Sequence, residues 1–165
     1  MSLVDMLKQS GFKPEKNTEG EFPPFEGVYV TQFSGCKEFP ANDKGGKQLL
    51  VEFKITETLA GRETKSKFAE FKKYLALEGD KATDKKKGIP FIINSLFTAG
   101  VEVSGETDEE LISNIQGAMG ATCYIRAYGF KPEDSEKTFQ MFSVLKEKEA
   151  LKKAEQIKKK SGSAF

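Results

Sequence analysis

Histidine and tryptophan are absent from this chain, and cysteine occurs only twice. Without histidine the usual Ser-His and Cys-His nucleophile pairs are excluded, and acid-base work would fall to lysine or carboxylates. Cys36 and Cys123 are far apart and form no CxxC unit, so a zinc site is not expected, nor is any other cofactor. Two isolated cysteines also suit a reducing compartment. No apolar run approaches the roughly 20 residues needed to cross a bilayer. The opening MSLVDMLKQS lacks the regions of a secretion signal. These absences describe a soluble cytoplasmic protein without a membrane partner, and not an enzyme.

Charge of one sign is lacking as well: 26 Lys and Arg stand against 25 Asp and Glu. The balance is uneven, because 146–160 holds seven Lys against three Glu, leaving the remainder net negative. A body of that sign needs local cationic patches or stacking contacts to hold a polyanion.

What is present is strand pattern. In KQLLVEFKITETL, residues 47–59, apolar Leu49, Val51, Phe53 and Ile55 alternate with Leu50, Glu52, Lys54 and Thr56. That is the period of a long half-buried strand, which by bending can serve two sheets of a small barrel. A first strand is expected over 26–33, with Val28 and Val30 inward and Tyr29, Thr31 and Phe33 outward. The stretch 34–46, with Pro40, Asn42-Asp43 and Gly45-Gly46, reads as a loop carrying Lys37 and Phe39. Residues 63–77 fit helix or strand, and a third strand running into Phe71 is favoured.

Ile89, Ile92, Ile93, Leu96 and Phe97 repeat at helical spacing behind Pro90, and a second helix starts at the Thr107/Glu110 capping box. Strands over 121–130 and 137–145 are joined by KPEDSE as a hairpin. In the first of them Cys123, Ile125 and Ala127 should face inward, and Tyr124, Arg126 and Tyr128 outward. The expected organisation is therefore an N-terminal helix and arm over 1–25, a body over 26–145 and a basic helical tail over 146–165. Ser2 would cap the N-terminal helix, which would cover one end of the core.

Three strands, a helical segment and a hairpin give the element order of an OB-fold: five strands in a partly open barrel, mainly β with helices (α+β), helices lying between strands three and four. GVYVTQF, GGKQLLVEFKI, the Gly-Arg turn and TCYIRAYGF…KTFQMFSVL make 26–145 resemble the replication-associated single-stranded DNA-binding proteins of bacteriophages. The resemblance implies binding of single-stranded DNA, with RNA as the other candidate, in phage DNA replication or recombination in the host cytoplasm. It also implies partners among replication or recombination proteins, recruited by the C-terminal tail. The departure lies there: many such proteins end in an acidic tail and a terminal Phe, whereas Phe165 follows a lysine-rich stretch.

The chemistry of the residues points the same way. Bases stack on aromatic rings and phosphates need a few cations beside them. Tyr29, Phe33, Tyr124, Arg126 and Tyr128, with Lys65 and Lys67, would share the outer face, and Lys37, Phe39 and Lys47 would lie in a loop closing over the strand. Against this stands a plainer role, in which these aromatics are satellite core beneath the arm or the tail. Lys85 to Lys87 read as a solvated run, and Leu151, Ala154 and Ile157 as a thin stripe that is either solvated or docks on a partner. A protein-binding adaptor or host-factor inhibitor using the same face is the second expectation, and a homo-oligomer is a further one.

Overall fold

The computed structural model describes residues 2–11, 26–40, 46–61 and 70–162. Expectations for the arm over 12–25, for 62–69 with Lys65 and Lys67, and for Phe165 lie outside the described residues. Elements run in the order α1 (Leu3–Gln9), β1 (Gly27–Phe39), β2 (Gln48–Gly61), β3 (Glu70–Ala76), α2 (Pro90–Thr98), α3 (Asp108–Gly117), β4 (Thr122–Phe130), β5 (Phe139–Leu145) and α4 (Glu147–Gly162), with a 3-10 turn at Asp80–Thr83. The fold is α+β, with one five-stranded antiparallel sheet in the order β3-β2-β1-β4-β5.

The sheet does not close by hydrogen bonds, because β3 and β5 are its two edges. It curls until the edges meet through rings: Phe71 on β3 and Phe142 on β5 lie 5.1 Å apart at their centroids. Curling is made possible by three register shifts in the β1–β2 pairing, after Val28, Val30 and Phe33. Each bulge bends and twists the ladder locally.

The third shift has a consequence for side-chain direction. Phe33 pairs with Phe53, but the next pairs are Gly35 with Glu52 and Cys36 with Val51, so Ser34 is an extra residue. Before it, Tyr29, Thr31 and Phe33 face the core; after it, Cys36 does. Residues 34–39, expected in a loop, therefore continue β1 as its far half, paired with Leu49 to Glu52 and Gln48.

The main core lies between the sheet's concave face and α2 and α3. Leu49, Val51 and Phe53 of β2 and Ile125 of β4 are wholly buried there, as are Ile92 and Leu96 of α2 and Ile115 of α3. The two helices form as their sequence dictates. Pro90 occupies the first turn of α2, where its missing N–H removes no intrahelical bond. Thr107 Oγ1 accepts from the Glu110 N–H at 3.1 Å and starts α3.

A second, smaller core lies on the sheet's other face. Ala150, Ala154 and Ile157 of α4 pack with Val28, Ala60, Leu59, Tyr124 and Leu145. The tail helix thus docks on its own sheet. The buried stripe runs through Ala150 rather than Leu151, which is 45% exposed. α1 forms behind Ser2, whose Oγ accepts from the Asp5 N–H at 3.2 Å. Its Val4 and Met6 are exposed, so these two do not cover the core as expected.

Candidate nucleic-acid interface

Of the ten residues singled out in the sequence, the eight that are described do not form one surface. Tyr29 and Phe33 correct the expectation most sharply: both are 0% exposed and belong to the main core. The faces of GVYVTQF are inverted relative to the expectation, because the Val28–Tyr29 end of β1 is covered on both sides. Val28 is buried under α4 while Tyr29 is buried under the helices, so apolar residues begin both rows and only the exposed Gln32 marks the outside. Neither ring can receive a base without unfolding the protein.

On β4 the expected register holds. Cys123, Ile125 and Ala127 are fully buried, and Tyr124, Arg126 and Tyr128 form the outward row. The row then divides into three environments. Tyr124 packs against α4, and loss of solvent around its hydroxyl, followed by the Glu147 carboxylate beside it, holds its pKa above the ordinary phenol value. Arg126 reaches Glu26 at 3.7 Å and lies over the Tyr128 ring at 5.2 Å, so its charge is already engaged by a carboxylate. Tyr128 alone continues toward open surface.

That continuation was missed in the sequence. Phe130, 51% exposed, pairs directly with Phe139, 49% exposed, and Tyr128 pairs with Met141 one step before. By the period of two, Tyr128 and Phe130 share a face, and cross-strand pairs share it too. The hairpin end therefore carries a platform of three aromatic rings with Lys131 and Lys137 exposed at its flanks. Its signal was present in GFKPEDSEKTF: an aromatic on each side of a turn, where no core awaits.

Tyr128 and Met141 also border a cleft of about 220 Å3 that runs along the free edge of β5 and faces β3 and α2. Its walls bring Lys73, Lys85 and Lys86 together with Phe91, Phe142 and Tyr128. Lys73 comes from an inward row in which its neighbours Phe71 and Leu75 are 6% and 0% exposed. Its ammonium lies 4.0 Å from the centroid of the Phe91 ring. Burial first, and then the Lys86 charge, lower its pKa, with Asp84 acting in the opposite direction. Among the described residues no carboxylate is within ion-pair distance of Lys73, Lys85 or Lys86.

The remaining candidates are scattered. Lys37 is exposed on the far half of β1 and sits 5.9 Å from the ring of Phe39, which in turn contacts Tyr74 at 5.9 Å. Lys47 is exposed, its N–H donating to Glu78 at 2.9 Å, beside a small pocket of about 120 Å3. Burial pushes the thiols of Cys36 and Cys123 up to about 11, with Glu38 adding to the effect at Cys36, so neither is an activated nucleophile. Among the described residues no cluster of Cys, Asp and Glu is placed to hold a metal ion. Nor is any helix among them long and apolar enough to cross a membrane. A scan against protein-family models finds no match, and a search of curated proteins finds none either.

Proposed function

We propose that this protein binds single-stranded nucleic acid, DNA foremost, with little sequence preference, and so protects or organises single strands during replication or recombination. The observation that carries the reading is the exposed Phe130–Phe139 pair on the β4–β5 hairpin, with half-buried Tyr128 beside it on the same face. Every base offers a π-face, so such a platform takes any sequence, and each stacked base is worth about 1 to 3 kcal/mol. An array that reads bases by paired hydrogen bonds would look different, with Arg, Asn or Gln forks in place of bare rings.

The strand order supports it. β3-β2-β1-β4-β5, with helices between β3 and β4, is the order of an OB-like barrel left open between its third and fifth strands. In barrels of that class the hairpin joining the last two strands is one of the loops that close on an oligonucleotide. The cationic cleft beside the platform adds local positive charge that the net-negative body lacks overall.

The test is affinity for a fluorescent poly-dT oligonucleotide across a salt series. Binding should weaken as salt rises, through release of counterions from the phosphates. Phe130→Ala and Phe139→Ala should each lose about 1 to 3 kcal/mol of binding with little change in melting. Arg126→Ala should lose less, since its charge already faces Glu26. Salt-independent or absent binding overturns the reading and turns the platform into a protein-docking surface, as an adaptor would use it.

A further inference from the structure

Lys73 occupies a position that its strand pattern reserves for a core residue. The sequence EFKKYLA places Phe71, Lys73 and Leu75 on one face, and the first and last of these are buried in the main core. A lysine between them leaves a half-buried charge at the mouth of the gap between β3 and β5. Burying an ammonium is costly unless something compensates it. Here the face of Phe91 supplies part of that compensation, and among the described residues no ion pair supplies the rest.

Lys85 and Lys86 arrive from a different element and add to the same sign. Asp84 folds their turn by accepting the N–H groups of Lys86 and Lys87 on Oδ1 at 2.8 and 2.9 Å. Those two bonds hold its carboxylate below the usual range, so it stays ionised with Oδ1 engaged by backbone. The α2 wall is polar yet largely self-satisfied: Ser95 Oγ donates to Phe91 O at 2.7 Å and Thr98 Oγ1 to Asn94 O at 2.8 Å. Among the described residues that line it, the cleft offers a ligand cations, ring faces and the Asn94 amide.

We propose that this cleft takes one nucleotide unit of a bound strand, its phosphate held between Lys73 and Lys85-Lys86 and its base along the wall formed by Tyr128 and its pair partner Met141. The assignment rests on the nucleic-acid reading above and adds to it a defined subsite. Size agrees with a unit of a chain: about 220 Å3 is below the roughly 300 to 1,000 Å3 that enclose a whole small ligand. Continuity agrees as well, because Tyr128 belongs both to the cleft wall and to the hairpin platform, and its pair partner Met141 lines the cleft beside it. A strand stacked on Phe130 and Phe139 would pass over Tyr128 into the cleft.

The experiment uses the full chain and two probes. Amide chemical shifts are followed on adding thymidine 5′-monophosphate, with thymidine and inorganic phosphate as controls, and poly-dT affinity is measured across a salt series. The variants are Lys85→Ala/Lys86→Ala, whose lysines are exposed, and Phe130→Ala/Phe139→Ala. Thymidine 5′-monophosphate should shift Lys73, Asn94, Tyr128 and Ser143, more strongly than either control. The lysine variant should abolish that response and flatten the logarithmic salt slope for poly-dT by about 1.4, two lost contacts at about 0.7 each. The phenylalanine variant should keep the mononucleotide response while losing poly-dT affinity. If poly-dT binds but the cleft amides stay still and the lysine variant binds as tightly as the parent, the subsite is wrong and the broader reading survives. If the mononucleotide fills the cleft while poly-dT fails to bind, the broader reading is wrong and the subsite stands. Equal shifts from phosphate alone would overturn the assignment of a base to the cleft.

Discussion

Phe71 and Phe142 stand with ring centroids 5.1 Å apart, one on each edge strand, and span a gap that no ladder hydrogen bond crosses. Phe142 also meets Phe53 at 5.9 Å and Phe91 at 5.8 Å, so one half-buried ring ties β2, β3 and α2 to β5. Aromatic pairs of this geometry contribute about 0.5 to 1.5 kcal/mol beyond their buried area.

Phe142→Ala should therefore cost about 2 to 3 kcal/mol, near the lower bound for losing a core phenylalanine because the ring is partly exposed. The loss should be local as well as global. Amide exchange should accelerate first in β5, which is paired on one side only, by β4. Uniform acceleration across the sheet would mean that the ring contacts do not hold the edge.

The inward assignment of Tyr29 and Phe33 has a direct consequence. Tyr29→Ala and Phe33→Ala should each destabilise by about 3 to 5 kcal/mol, and Ile125→Ala by about 2 to 5 kcal/mol, all three being fully buried. Denaturant midpoints measure this. A variant at Tyr29 or Phe33 that keeps its midpoint while losing nucleic-acid binding would restore the outward face.

α4 is a packed element, and its removal should be felt. Ile157→Ala should cost about 2 kcal/mol, and truncation before Lys146 should cost more by stripping Val28, Ala60 and Tyr124 of their cover. Exposing that apolar face should also raise binding of a hydrophobic dye. An unchanged melting temperature on truncation would show that the small core contributes nothing to the fold.

Both thiols are protonated well past their ordinary range, with pKa pushed up to about 11 from 9.0. In the unfolded chain they lose protons first, so between about pH 9 and 11 the native state holds more protons than the unfolded one. Stability from this source is complete below pH 9 and declines as pH rises through that window. A Cys36→Ala/Cys123→Ala variant should show a shallower alkaline decline in unfolding free energy than the parent. The native thiols should also react with a disulfide reagent far more slowly at pH 8 than in denaturant.

The sequence by itself determined the elements whose signals are local. The Thr107 cap, Pro90 at the start of α2 and the period of two in 123–128 each depend on neighbours a few residues away, and each appears where expected. The long β2 and the KPEDSE hairpin were legible for the same reason. Only the tertiary structure decided which face of β1 is inside. GVYVTQF begins with apolar residues on both sides because α2 and α3 cover one and α4 covers the other at Val28, and a strand end covered twice shows little polarity contrast. The unpaired Ser34 then reversed the parity of Cys36 and Lys37 in a way no local pattern marks. The cleft was likewise invisible, since Lys73, Lys86 and Phe142 are distant in the chain and share a wall only because bulges curl the sheet until its edges meet.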